Sequence, residues 1–223
     1  MTSAPSATIW GSPTATKHAL LIHGLTSSSY TWHRVASSLA AQGMTRSLHW
    51  ITAPESIRCY LGYMVTAPNL IGHGSRASTD YRISFMAQDL RPYLEARNYS
   101  LIIAHSLGGL TALALLAHLP PSHPTAIIIV DPPLQVPSES LSFHDNLFSD
   151  SCANPKQAEA YSAENPLWTR EDGIFRELGT RLCSVDAVHS IFKVSSGCSQ
   201  NYRCAGLTLL FHSKTSRGIF SII

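Results

Sequence analysis

Four short apolar runs, residues 19–22, 63–67, 101–103 and 126–130, lie along the N-terminal part of this chain with helix-patterned segments between them. A run this short and continuously apolar is expected of a strand covered on both faces, as in a parallel sheet flanked by helices. Between the first two, Trp32, Val35, Ala36 and Leu39 recur at helical spacing, and Gly43 is the expected C-terminal cap. Between the next two, Ile83, Met86, Leu90 and Leu94 do the same, although Pro92 predicts a limit or a bend in that helix. An Ala/Leu-rich helix then fills 107–119 and stops at Pro120-Pro121. Strand–helix–strand order demands βαβ crossovers, so the expected fold class is α/β with a mostly parallel sheet. Ligands of such sheets gather at the carboxyl ends of the strands. His23-Gly24, Gly72-His73-Gly74, Ser106 and Asp131 all follow apolar runs there and read as one site.

The pattern changes from about residue 135. Short helical pieces at 155–162, 169–178 and 184–192 sit among polar loops, the expectation for a helical insertion over the sheet edge. The run 207–211 restores a strand, and the chain stops at Ile223. The expected organisation is therefore a core at 1–134, a helical cap at 135–200 and an incomplete C-terminal part of the core at 201–223, lacking a closing strand and helix. One segment interrupts the first helix-to-strand connection: 44–62 (MTRSLHWITAPESIRCYLG) has no clear period where a short link is expected. Two origins are open for it, a translated retained intron, shared with the tail after Lys193, or a surface loop.

Hydrophobic residues make up 44% and charged residues 13% of the chain, enough for a large core and against overall disorder. With a net charge of +2 and scattered lysines and arginines, no nucleic-acid or polyanion partner is expected. The N-terminus lacks the basic and apolar regions of a secretory signal, and no apolar stretch approaches the roughly 20 residues of a membrane span. Ser221-Ile222-Ile223 is not the Ser-Lys-Leu peroxisomal address. A cytoplasmic location is the expectation. The five cysteines and eleven histidines show no ligand-type spacing, so reduced thiols and no metal site are expected.

The strongest chemical signal is Ile103-Ala104-His105-Ser106-Leu107-Gly108-Gly109, an apolar strand running through a small-residue turn into a helix. A nucleophilic serine needs an exposed hydroxyl, a base and donors for the developing oxyanion. The tight turn exposes the hydroxyl and aims the Leu107 N–H from a helix N-terminus. The alternative is a plain helix N-cap, the commonest use of such a serine. The segment resembles the nucleophile elbow of the α/β-hydrolase family, with Ala104 as a small-residue variant of the first glycine. The resemblance extends to Leu21-Ile22-His23-Gly24-Leu25, similar to the family's oxyanion loop. It also takes in Ala67-Pro68-Asn69-Leu70-Ile71-Gly72-His73-Gly74, where Asn69 stands in the place of the family's aspartate. It implies a nucleophilic Ser106, an oxyanion held by Leu25 and Leu107, and a binding loop containing His23 and Gly24. His23 and His73 then shape loops, and His105 is expected to point away from the site. No cofactor is implied.

The resemblance has a gap. The family's triad runs Ser, then Asp or Glu, then His. After 207–211 stand His212-Ser213-Lys214-Thr215, with Lys214 where the acid belongs and no later histidine. Asp131 is a substitute acid or a carboxylate capping the turn before Pro132-Pro133, and His212 is a remote alternative base. The implied function is a serine hydrolase of esterase, thioesterase or lactonase type, acting on a small hydrophobic ester or acyl substrate through an acyl-serine intermediate. The alternative is an inactive homologue or a small-molecule binding module. Dehalogenase relatives carry Asp in place of the elbow serine, so Ser106 speaks against that branch.

Overall fold

The computed structural model describes residues 4, 6–41, 62–197 and 219–222. The expected Gly43 cap, the bulk of the 44–62 segment, the strand at 207–211, His212 and Lys214 lie outside them. The described strands form one sheet: β1 (Ala7–Trp10), β2 (Lys17–Ile22), β3 (Tyr63–Pro68), β4 (Leu101–His105), β5 (Ala126–Val130) and β6 (Ile219–Ile222), in the order β1-β3-β2-β4-β5-β6. Strands β3, β2, β4 and β5 pair in parallel and β1 and β6 pair antiparallel at the two edges. The four apolar runs are the four parallel strands.

Alternation along β2 shows why these runs are apolar throughout. Leu20 and Ile22 enter one core layer with Met86, Leu90, Ile102 and Leu115. Ala19 and Leu21 enter the other with Ala36, Leu39 and Val65. Both faces are covered by helices, so apolar side chains dominate both, with Thr66 of β3 a buried exception. Helices α1 (His33–Ala41), α2 (Ile83–Ala96) and α3 (Leu107–Leu115) connect the parallel strands. Pro92 does not end α2. It removes the N–H that would bond the Gln88 carbonyl near the helix end, and Gln88 is exposed, so the loss is small.

Four helices follow β5: α4 (Ser138–Ala153), α5 (Ala158–Glu164), α6 (Arg170–Leu182) and α7 (Val185–Gly197). The last three correspond to the helical pieces expected from the sequence. The edge strands β1 and β6 and the long helix α4 carry no strong periodic signal and were not expected. No described helix is long and apolar enough to cross a membrane.

Candidate active site

β4 ends at His105, and α3 begins at Leu107, so Ser106 alone makes the turn. Its backbone is held at φ 51° and ψ −119°, a left-handed conformation rare outside glycine. Two neighbours fix it there. The Ser106 N–H donates to the Val130 carbonyl on β5 at 2.9 Å, and the N–H groups of Gly109 and Leu110 return to the Ser106 carbonyl. The side chain makes no cap hydrogen bond to α3, so the N-cap reading has no support in the geometry.

Small residues let the surrounding pieces close. A Cβ on Gly108 would stand 2.4 Å from the Ile22 carbonyl oxygen and 2.5 Å from that of His23, so only glycine lets α3 start against the end of β2. A Cβ on Gly24 would meet His105 Nδ1 at 2.8 Å and Ser106 Cβ at 3.1 Å. The loop after β2 therefore lies directly on the Ser106 turn. No described residue accepts a hydrogen bond from the N–H of Leu25 or of Leu107.

Histidines 23 and 73 are buried side by side. His23 is fully buried; its Nδ1 donates to the Gly24 carbonyl at 2.8 Å, and its Nε2 accepts from the Leu70 N–H at 3.0 Å. Both nitrogens are committed, which ties the loop after β2 to the turn after β3. Burial, with the His73 ring 4.8 Å away between centroids, holds His23 well below the usual imidazole range. Burial likewise takes His73 down to about 4. Asn69 Oδ1 accepts from the Ser29 N–H at 2.7 Å, a task an aspartate would also perform. His105 packs against Gly24, outside the cavity lining, with its pKa lowered mainly by burial.

A cavity of about 610 Å³ opens over the turn. Ser106, Leu107, Leu25 and Asp131 line it together. His23 and Gly24 stand behind its wall. Asp131, also at positive φ (49°), makes no side-chain hydrogen bond to a described residue, so it does not cap the Pro132-Pro133 turn. The far wall comes from α4 and α7, through Leu141, His144, Phe148, Ile191 and Phe192. His144 was not singled out in the sequence. It sits in a helix without clear periodicity, and only its place three and four residues from Leu141 and Phe148 hints that it shares their face. No described side chain hydrogen-bonds the Ser106 hydroxyl. Among the described residues no group of three or more His, Cys, Asp or Glu is placed to hold a metal.

A strained serine between a parallel strand and a helix, beside a glycine loop and under a helical wall, defines a hydrolase-type α/β protein. The chain belongs to the alpha/beta hydrolase family, whose model matches residues 19–203. Solved structures with similar folds include N-formylmaleamic acid deformylase from Pseudomonas putida S16, 22% identical with TM-score 0.57, covering 83% of this chain and 68% of that one. An esterase from Exiguobacterium antarcticum is 16% identical with TM-score 0.57, covering 82% of this chain and 66% of that one. An N-acyl homoserine lactonase is 15% identical with TM-score 0.51, covering 87% and 70%. The chain thus spans about two thirds of the length of these structures. No curated protein matches it by sequence.

Proposed function

We propose that this chain is a serine hydrolase that opens a small, neutral ester, thioester or lactone through an acyl-Ser106 intermediate. The observation that carries this reading is the Ser106 backbone, held at φ 51° on the wall of the cavity with its hydroxyl free of any cap bond. Such strain costs on the order of 1–3 kcal/mol and clusters at functional sites. In this reading Ser106 Oγ attacks the acyl carbon, and the carbonyl oxygen takes the negative charge. The unengaged N–H groups of Leu25 and Leu107 donate to that oxyanion, aided by the positive end of α3. Asp131 serves as the acid. His144 is the imidazole that shares the cavity among the described residues, and it takes the serine proton.

The lining supports the substrate class. It is largely aliphatic and aromatic and holds no lysine or arginine among its described residues, so a carboxylate-bearing substrate finds no cationic partner there. A second reading, a pocket that binds an acyl ligand without turning it over, is favoured by the absence of any described hydrogen bond to the Ser106 hydroxyl.

Labelling with a fluorophosphonate probe separates the two. The wild type is expected to label and Ser106→Ala to remain unlabelled. His144→Ala is expected to lose about 10²- to 10⁴-fold in labelling rate, the span of a general base. A folded wild type that stays unlabelled leaves the binding reading standing. Labelling unchanged in His144→Ala moves the base off α4.

A further inference from the structure

The loop that carries Leu25 is tied to the core at both ends. At the near end His23 Nδ1 donates to the Gly24 carbonyl at 2.8 Å, and because a peptide is planar that bond also sets the direction of the Leu25 N–H. At the far end the Ser29 N–H donates to Asn69 Oδ1 at 2.7 Å. Between them stands Thr26, fully buried and turned to φ 55°, a left-handed conformation that a β-branched residue resists. Neither its own hydroxyl nor the local backbone accounts for the turn. Thr26 Oγ1 has no hydrogen-bond partner among the described residues, and no described backbone N–H donates to the Thr26 carbonyl.

The helical insertion takes that carbonyl instead. Arg176, half-buried on α6, donates from Nη1 to the Thr26 carbonyl at 2.8 Å, with Ser27 Oγ at 3.4 Å. The guanidinium is itself held. Its carbon lies 5.8 Å from the centre of the Tyr161 ring, a cation–π distance. The Tyr161 hydroxyl donates to Thr180 Oγ1 at 3.3 Å, and Thr180 Oγ1 donates to the Arg176 carbonyl at 2.9 Å. Further along α6, a Cβ on Gly179 would stand 2.8 Å from Ser27 Cα, so the helix lies against the loop backbone. Two acids of the same helix are paired elsewhere, Asp172 with Arg34 at 3.1 Å and Glu177 with Arg181 at 2.8 Å. The Arg176 charge is directed at the loop, where a charged donor makes the stronger kind of hydrogen bond.

We propose that Arg176 is a positioning residue for the oxyanion, holding the Thr26 turn and with it the Leu25 N–H beside Ser106; this rests on the acyl-Ser106 reading of the cavity. Oxyanion donors act by being in place before the charge develops, and a misplacement of about 1 Å costs on the order of 10²-fold in rate. The insertion then does more than wall the cavity, because α6 sets one of the groups that receive the charge.

The test is the rate of fluorophosphonate labelling, with kcat and KM for p-nitrophenyl acetate, in the full chain and its variants. Arg176→Met has no donor and Arg176→Gln is too short to reach the Thr26 carbonyl. Both are expected to label on the order of 10²-fold more slowly. Their kcat should fall while KM holds, since the weakened interaction is made only in the transition state. Only Nη1 bonds the carbonyl, so Arg176→Lys, with one charged donor, is expected to recover most of the rate. Arg34→Ala breaks the pair with Asp172 on the same helix and is expected to label at the wild-type rate. Cooperative denaturant unfolding shows which variants are folded, and either of the two loss variants suffices.

Four results overturn the inference and leave the Ser106 reading intact: a folded methionine or glutamine variant that labels at the wild-type rate, a raised KM in place of a lowered kcat, a lysine variant as slow as the methionine one, or an equally slow Arg34→Ala. A folded wild type that does not label at all overturns both.

Discussion

At Ser106 the side chain and the backbone pull in opposite directions. A Cβ makes φ 51°, ψ −119° unfavourable, and a glycine there would be relaxed. Ser106→Gly is therefore expected to raise the unfolding free energy by about 1 kcal/mol, while Ser106→Ala, which keeps the Cβ, leaves it nearly unchanged. Both variants should lose labelling. Denaturant unfolding of the three proteins checks this, and a glycine variant no more stable than the alanine variant would show that the turn carries no strain. Ser106 was legible in the sequence because small neighbours and an apolar strand constrain a turn of this kind. The same reasoning read His23 and His73 as loop-shaping residues; in the structure their ring nitrogens meet the backbone of Gly24, Leu70 and Ile71. His144 was not legible. Its place in the cavity depends on how α4 packs against α7, which no local pattern encodes.

The elements divide in the same way. The four parallel strands announce themselves, since burial on both faces favours apolar side chains. The helix α4 does not: its sequence SESLSFHDNLFSDSCA is rich in Ser and Asp, poor helix formers, and Phe143 and Leu147 stay exposed. What holds it is its packing on α7. The Phe148 and Phe192 rings stack with centroids 5.9 Å apart, the His144 ring lies 6.5 Å from that of Phe192, and Asp145 Oδ1 pairs with His189 Nδ1 at 2.8 Å. A helix with little intrinsic preference depends on such contacts. Phe192→Ala is expected to cost about 2 kcal/mol, below the value for a fully buried phenylalanine because Phe192 is half-buried. The loss should be local. Hydrogen exchange should quicken first along α4 and α7 and leave β2 and β4 protected; uniform quickening across the sheet would mean that these helices are not a separate cooperative unit.

Across the whole molecule, two buried neutral histidines under the site make the fold sensitive to acid. His73 titrates near 4 in the folded chain because burial excludes its charged form, and near 6.5 once the chain unfolds. Between these values the unfolded state binds a proton that the folded state refuses, so stability rises with pH across the interval and falls on acidification. The interval is worth about 3 kcal/mol for His73 when fully traversed, and His23, also depressed, acts in the same direction. Above about pH 7 neither contributes a slope. The denaturant midpoint is therefore expected to hold steady from pH 8 to 7 and to drop between pH 6.5 and 4. His73→Phe keeps an aromatic ring against His23 and removes one titrating group. It gives up the 3.4 Å contact to the Ile71 carbonyl, while Nε2 has no hydrogen-bond partner among the described residues. That variant should show a shallower fall over the same interval, with its midpoint closest to the wild type at the acid end. An equally steep fall in His73→Phe would place the acid sensitivity in other groups and show that the histidine pair does not govern it.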